Sequence, residues 1–226
     1  MKIFNKRYET LSFEDREQLK LERLQATINR AYKNVEFYHN EMKAREISPR
    51  DITNISDLRK IGFTTREDLS YNYPYGLFSV PLRDIVRINS TSGMSGKPAV
   101  MGYTKNDLGV WTELLSRLYA ASGINADDIV QICFVYGLSN WGRGMKAAAE
   151  NIEASVIPMS ALNPEKEIMI MSDYKTSCLV STPSYALHLV LLLSEMGISP
   201  KKLSLKRGIL ISESLNEDVK KKIETG

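Results

Sequence analysis

The feature that most narrows the folds open to this chain is an alternation that begins at Asp84. Strand-like runs fall at Ile85–Ile88, Ala99–Tyr103, Ile129–Val135, Ala154–Pro158, Ser177–Ser181 and Arg207–Ile211. Between them lie helix-length patterns at Asn106–Ala121, Arg143–Asn151, Glu165–Asp173 and Ser184–Met196. Strands alternating with helices of this length predict an α/β fold whose sheet is mixed but largely parallel, with helices flanking it. Gly123 and Gly197 stand where two of these helices would stop, as left-handed terminators.

The stretch before Asp84 reads differently. Leu21, Leu24, Ile28, Ala31 and Tyr32 recur at helical spacing, and Ser12-Phe-Glu-Asp15 predicts the cap that starts that helix. Ser48-Pro49 and Thr64-Thr65-Arg-Glu-Asp68 predict further helix starts, and nothing here demands a strand. The expected organisation is a helical region over 1–83 followed by an α/β subdomain over 84–226. That subdomain stops within or just after a helical pattern, at Lys220-Lys-Lys-Ile-Glu-Thr-Gly226, so the chain is expected to be the N-terminal part of a longer fold.

Composition removes several function classes. With 30 Lys+Arg against 27 Asp+Glu the net charge is +3, and the basic residues are interspersed with acids, which argues against nucleic acid as a partner. The start, MKIFNKRYETLSFEDREQ, has no apolar core of a signal peptide. The longest apolar run, Ala186–Leu193, is far too short to span a bilayer, so no membrane partner and a cytoplasmic location are expected. Cys133 and Cys178 sit in apolar runs, where a free thiol serves as a small core residue; neither they nor His39 and His188 have metal-ligand spacing.

The segment richest in chemistry is Asn89-Ser-Thr-Ser-Gly-Met-Ser-Gly-Lys-Pro98, between two expected strands. Its glycines let backbone N–H groups converge on an anion, and Lys97 adds a positive charge, which is what holding a polyphosphate requires. It is not a Walker A loop: the spacing from Gly to Gly-Lys is too short, and Pro98 stands where Ser or Thr would meet magnesium. On local composition alone, a plain Gly/Ser turn is the competing reading. Gly142-Arg-Gly-Met-Lys-Ala147 matches a dinucleotide-binding pattern, but Tyr136–Trp141 intervene after the strand, and Pro158-Met-Ser160 stands where an acid should follow. Those glycines are expected to serve close packing or to leave room for a ligand.

Thr91-Ser-Gly-Met-Ser-Gly-Lys-Pro98, continued by Ala-Val-Met-Gly-Tyr-Thr104 and Asn106-Asp107, resembles the phosphate-binding loop of adenylate-forming enzymes in the form found in phenylacetate-CoA ligases. Phe37-Tyr38, Phe63-Thr-Thr-Arg-Glu-Asp-Leu69 and Asn72-Tyr-Pro-Tyr-Gly-Leu-Phe78 resemble the same family upstream. Tyr136-Gly-Leu138, Gly142/Gly144, Val156-Ile-Pro158 and Thr182-Pro-Ser-Tyr185 continue the likeness downstream. The resemblance implies an acid–thiol ligase that activates an aryl carboxylic acid with ATP to an acyl-adenylate and passes the acyl group to coenzyme A. It further implies that Ser92, Gly93, Ser95, Gly96 and Lys97 hold the ATP phosphates, that Tyr136 lines the acid pocket, and that Glu213 lies beside the adenosine. Mg2+ is implied as well, with its family ligand beyond this chain.

Met94 stands where the family has Thr or Ser, while Ile211 and Ser214 replace a Gly and a Pro beside the nucleotide. Each functional reading has a plainer competitor: Tyr136 as core or rim, Glu213 as an exposed carboxylate, and Lys220–Lys222 as a solvated helix end. Met159, Met169 and Met171 are spaced like core packing. The competing functions are an adenylating enzyme with another acceptor and a non-catalytic nucleotide- or acid-binding fragment. An incomplete cleft would expose apolar surface, so self-association or a complementing C-terminal fragment is expected.

Overall fold

The computed structural model describes residues 2–93, 96–138, 140–161 and 163–225. Two compact units emerge, residues 5–108 and residues 109–226 joined by the first four. The division falls after Leu108, whereas the texture of the sequence changes at Asp84.

In the first unit, α1 (Lys6–Glu9), α2 (Phe13–Asn34), α3 (Glu36–Ala44) and α4 (Arg66–Tyr71) precede β1 (Arg87–Ser90) and β2 (Val100–Tyr103). Ser12 caps α2, its Oγ accepting the Asp15 amide at 3.0 Å, and Thr65 caps α4 in a reciprocal box with Asp68. Ile28 on α2, Met42 on α3 and Ile52 form the buried centre, with Leu24, Tyr32, Ile47 and Ile61 packed around them. β1 and β2 pair antiparallel and form a two-stranded sheet of their own, from Arg87 opposite Tyr103 to Ser90 opposite Val100.

α5 (Lys105–Ala121) begins in the first unit and continues into the second. There follow β3 (Ile129–Ile132), α6 (Trp141–Asn151), β4 (Ser155–Ile157), α7 (Pro164–Asp173), β5 (Cys178–Ser181), α8 (Pro183–Glu195), β6 (Arg207–Leu210) and α9 (Glu217–Thr225). The four strands form an all-parallel sheet in the order β4-β3-β5-β6. The α/β architecture is as expected, with the antiparallel pair forming a sheet of its own rather than joining the parallel one. Gly123 and Gly197 adopt φ values of 78° and 65°, the left-handed conformation that stops α5 and α8.

Alternation along the strands divides the core. Val130 and Ile132 of β3, Cys178 and Val180 of β5 and Ile209 of β6 face a cluster with Leu115, Tyr119, Met145, Ala148 and Ala149 from α5 and α6. Cys133 and Leu179 face Ile168 and Met171 of α7 and Ala186, Leu189 and Leu193 of α8. Fully burying one such branched side chain contributes about 1.5–3 kcal/mol, so the sheet gains from both faces. Gln131 is buried on the α7 side, where its Nε2 donates to the Glu167 carbonyl at 3.1 Å and its Oε1 accepts the Thr176 hydroxyl at 2.8 Å. Met159 and Met171 pack in this layer, but Met169 is half exposed: three methionines within thirteen residues of a helix and its approach cannot all face inward.

Both cysteines are free and buried. Burial raises the Cys133 thiol well above its usual range, and burial with the Asp128 carboxylate nearby pushes Cys178 up to about 12. Neither thiol should therefore react with iodoacetamide in the native protein at pH 8, while both should react in denaturant. Native labelling of either one, read by mass spectrometry, would contradict this burial.

Candidate functional site

In a parallel sheet, ligands are bound beyond the carboxyl ends of the strands, where neighbouring connections leave in opposite directions. Here that point lies between β3 and β5. The chain leaves β3 through α6 to β4 on one side, then returns through α7 to β5 on the other. The residues placed at this edge follow β3 (Phe134–Leu138), β5 (Thr182–Tyr185) and β6 (Ile211–Ser214).

Tyr136 is half-buried against the α5/α6 side of the core. Its hydroxyl oxygen is buried without a hydrogen-bond partner among the described residues, and burial pushes its pKa up to about 12. The Arg143 guanidinium donates to its carbonyl at 3.1 Å, fixing the backbone that leaves β3. At Gly142 this turn lies on α6 at ordinary contact distance: a Cβ there would sit 3.4 Å from the Phe134 carbonyl oxygen and 3.5 Å from the Tyr136 ring. Gly144 is tighter, because a Cβ would meet the Trp111 indole and sit 3.0 Å from Leu115 Cδ1. Of the two roles expected for these glycines, Gly144 takes close packing of α6 on α5.

Glu213 is exposed but not idle. Its Oε2 accepts the Ser184 amide at 2.9 Å and its Oε1 accepts the Ser184 hydroxyl at 2.8 Å, bonds that hold its carboxyl below the usual carboxylate range. The carboxylate thus satisfies a backbone donor of the first turn of α8. Its neighbour Ser212 has φ 73°, a left-handed conformation uncommon outside glycine. Ile211, which stands where the family has Gly, packs its side chain on the α5/α6 side of the core, and its amide donates to the Ser181 carbonyl at 3.0 Å. Ser184 was not singled out for any role in the sequence. It lies 29 positions from Glu213, beyond the reach of any local pattern.

The phosphate-loop residues lie in the first unit. Thr91 closes the loop between β1 and β2, its amide donating to the Ala99 carbonyl and its Oγ1 accepting the Ala99 amide, each at 3.0 Å. Gly93 and Gly96 have φ values of 67° and 139°, and the Gly96 amide donates to the Gly93 carbonyl at 3.0 Å. A Cβ on Gly93 would press on the Gly96 carbonyl oxygen at 3.1 Å and on Pro98 at 3.2 Å. Glycine is thus needed here for both conformation and space. Ser92, Gly96 and Lys97 are exposed, and the Lys97 ammonium lies 5.5 Å from the centre of the Tyr73 ring. Met94 and Ser95, the latter a phosphate-binding candidate, lie outside the described residues.

Among the described residues, no three His, Cys, Asp or Glu side chains gather as a metal site would need. Among the same residues, no helix is long and apolar enough to cross a membrane.

No family model matches the chain. Its homologues among curated proteins are phenylacetate-coenzyme A ligases. That of Pseudomonas putida is 38% identical over 216 residues, 96% of this chain and 49% of the relative. That of Thermus thermophilus is 34% identical over 224 residues, 99% of this chain and 50% of the relative. Among solved structures, 2-hydroxyisobutyryl-CoA ligase in complex with 2-HIB-AMP and CoA in the thioesterification state matches with a TM-score of 0.89 at 25% identity, over 96% of this chain and 48% of that one. The same ligase in its postadenylation state with 2-HIB-AMP matches with a TM-score of 0.88 at 25% identity, again over 96% of this chain and 48% of that one. The chain spans about half the length of the curated relatives it matches.

Proposed function

We propose, from its homology to phenylacetate-coenzyme A ligases, that this chain supplies the phosphate-holding and acid-lining part of an acid–thiol ligase site. In this reading an aryl carboxylate attacks the α-phosphorus of ATP, pyrophosphate leaves, and the thiol of coenzyme A displaces AMP from the acyl-adenylate. The observation that carries it is the 38% identity to such a ligase across 96% of the chain.

The geometry supports the assignment of groups. Ser92, Gly93, Gly96 and Lys97, with Ser95 in the same loop, would hold the phosphates: two glycines at positive φ give the loop its sharp turn, and Ser92 and Lys97 are exposed. Tyr136 would line the acid pocket, beside the β3/β5 edge where such sheets bind ligands. Glu213 would stand on the adenosine side. The enzyme would work in the cytoplasm on a small carboxylic acid, and this part of it would self-associate or meet a complementing partner.

The test has two stages. Calorimetric titration of the 226-residue chain with ATP should show binding, and acid-dependent ATP–pyrophosphate exchange by the same chain alone should be absent. Catalysis needs groups positioned all round the reacting phosphorus, and about half of the relatives' length contributes none of them here. Robust exchange would show that the reacting groups lie on this chain after all; failure to bind ATP would favour a non-catalytic role.

A further inference from the structure

The strongest unassigned feature is the bridge between the turn after β6 and the start of α8. An ionised carboxylate only accepts hydrogen bonds, so the Ser184 hydroxyl must donate to Glu213 at 2.8 Å. The Ser184 oxygen is then free to accept from Thr182 Oγ1, 3.2 Å away, and Thr182 Oγ1 in turn accepts the Tyr185 amide at 3.2 Å. The Thr182 hydroxyl also bonds toward the Glu213 carboxyl and helps to hold it low, so both hydroxyls at the start of α8 converge on the carboxylate. Together with the direct Ser184 amide bond at 2.9 Å, they tie the end of β6 to the end of β5. Between the tie and the strand lie Ile211 and Ser212, the latter held at φ 73°.

We propose that Ser184 is a positioning residue for nucleotide recognition, acting through Glu213, which serves as a strap on the Ile211–Ser214 turn instead of a contact to the ligand. The inference rests on the nucleotide-binding reading of this chain and deepens it. Both carboxylate oxygens are already committed to Ser184, so the side chain's orientation is set before any ligand arrives. What the strap offers a nucleotide is a turn pre-formed in a conformation that a Ser at positive φ would not keep unaided.

A double-mutant cycle with ATP as the probe separates a strap from a contact. Glu213→Ala should weaken ATP binding about tenfold and Ser184→Ala roughly three- to fivefold, since the alanine keeps its amide. In the Glu213→Ala background, Ser184→Ala should have no further effect, because the hydroxyl acts only through the carboxylate. Ser184→Thr should restore wild-type affinity. In the ligand-free chain, hydrogen exchange at residues 212–215 should accelerate in Glu213→Ala while exchange in β3 and β5 stays unchanged. Additive effects in the cycle, or wild-type exchange in Glu213→Ala, would overturn the strap. If the wild-type chain binds no ATP, the nucleotide reading falls and takes the assigned role with it, whereas the exchange measurement still judges the strap itself.

Discussion

Replacing Lys97 with alanine is expected to weaken ATP binding by roughly 10- to 100-fold and to leave the melting temperature within a degree or two of wild type. A hydrogen bond to a charged group is worth about 1.5–3 kcal/mol, and each 1.4 kcal/mol is a factor of ten in affinity. The folded chain has little to lose at this position. Lys97 is exposed and takes part in no ion pair among the described residues; it lies over the Tyr73 ring, a contact worth about 0.5–1 kcal/mol at an exposed site. Raising the salt concentration should shrink the difference between the two proteins, because exposed charges are screened. Titration calorimetry paired with thermal unfolding checks both halves. Equal affinities would reduce the segment to the plain turn that its composition also allows.

The second large effect separates two glycines that look alike on paper. Gly144→Ala should destabilise the second unit by about 1–3 kcal/mol, because its Cβ drives into the Trp111 indole and approaches Leu115 Cδ1 at 3.0 Å. Gly142→Ala should be neutral or stabilising by up to about 1 kcal/mol. Its nearest neighbours lie at ordinary contact distances, and alanine is the better helix former within α6. The predicted order of melting temperatures is therefore Gly142→Ala at or above wild type and Gly144→Ala several degrees below. Equal shifts in both variants would mean that α5 and α6 are not packed as tightly as described.

Acid offers a milder test of the strap. The Glu213 carboxyl is held below its ordinary value when folded, so its contribution is present above the unfolded pKa and is lost as pH falls through the lowered folded one. Hydrogen exchange of the 212–215 turn should accordingly keep its protection at neutral pH and begin to lose it only well into the acid range. A loss near pH 6 to 7 would point to some other titrating group.

The order of elements in the second unit was legible in the residues because each reports a local property. Apolar runs at strand length, helix-length patterns between them, and glycine at a left-handed stop all act over a few positions. That locality is why the strands at Cys178–Ser181 and Arg207–Leu210 and the helix Pro164–Asp173 fall within a residue or two of their sequence patterns. The motif around Lys97 was legible for the same reason. Its glycines must take positive φ wherever the chain turns that sharply, and Gly93 and Gly96 do.

Other features were decided only by the folded structure, since they depend on which segments meet. No local pattern says that β5 comes to lie beyond β3 from β4, and it is this order that sets where neighbouring connections part at the carboxyl ends of the strands. The periodicity of the methionines is equally silent on Met169, which faces out because the sheet has room for only one stripe of α7. Gly142 and Gly144 share a motif but differ in what stands opposite, a strand-end turn for one and an indole for the other. Glu213 finds its partner on a helix 29 residues earlier in the chain, and that meeting alone turns an ordinary exposed carboxylate into a strap. Residue type and spacing thus determined the kinds of elements and where they start and stop, because those follow from backbone sterics and short-range burial. The fold decided which side chains were left to act, because contact across a sheet edge is a property of topology.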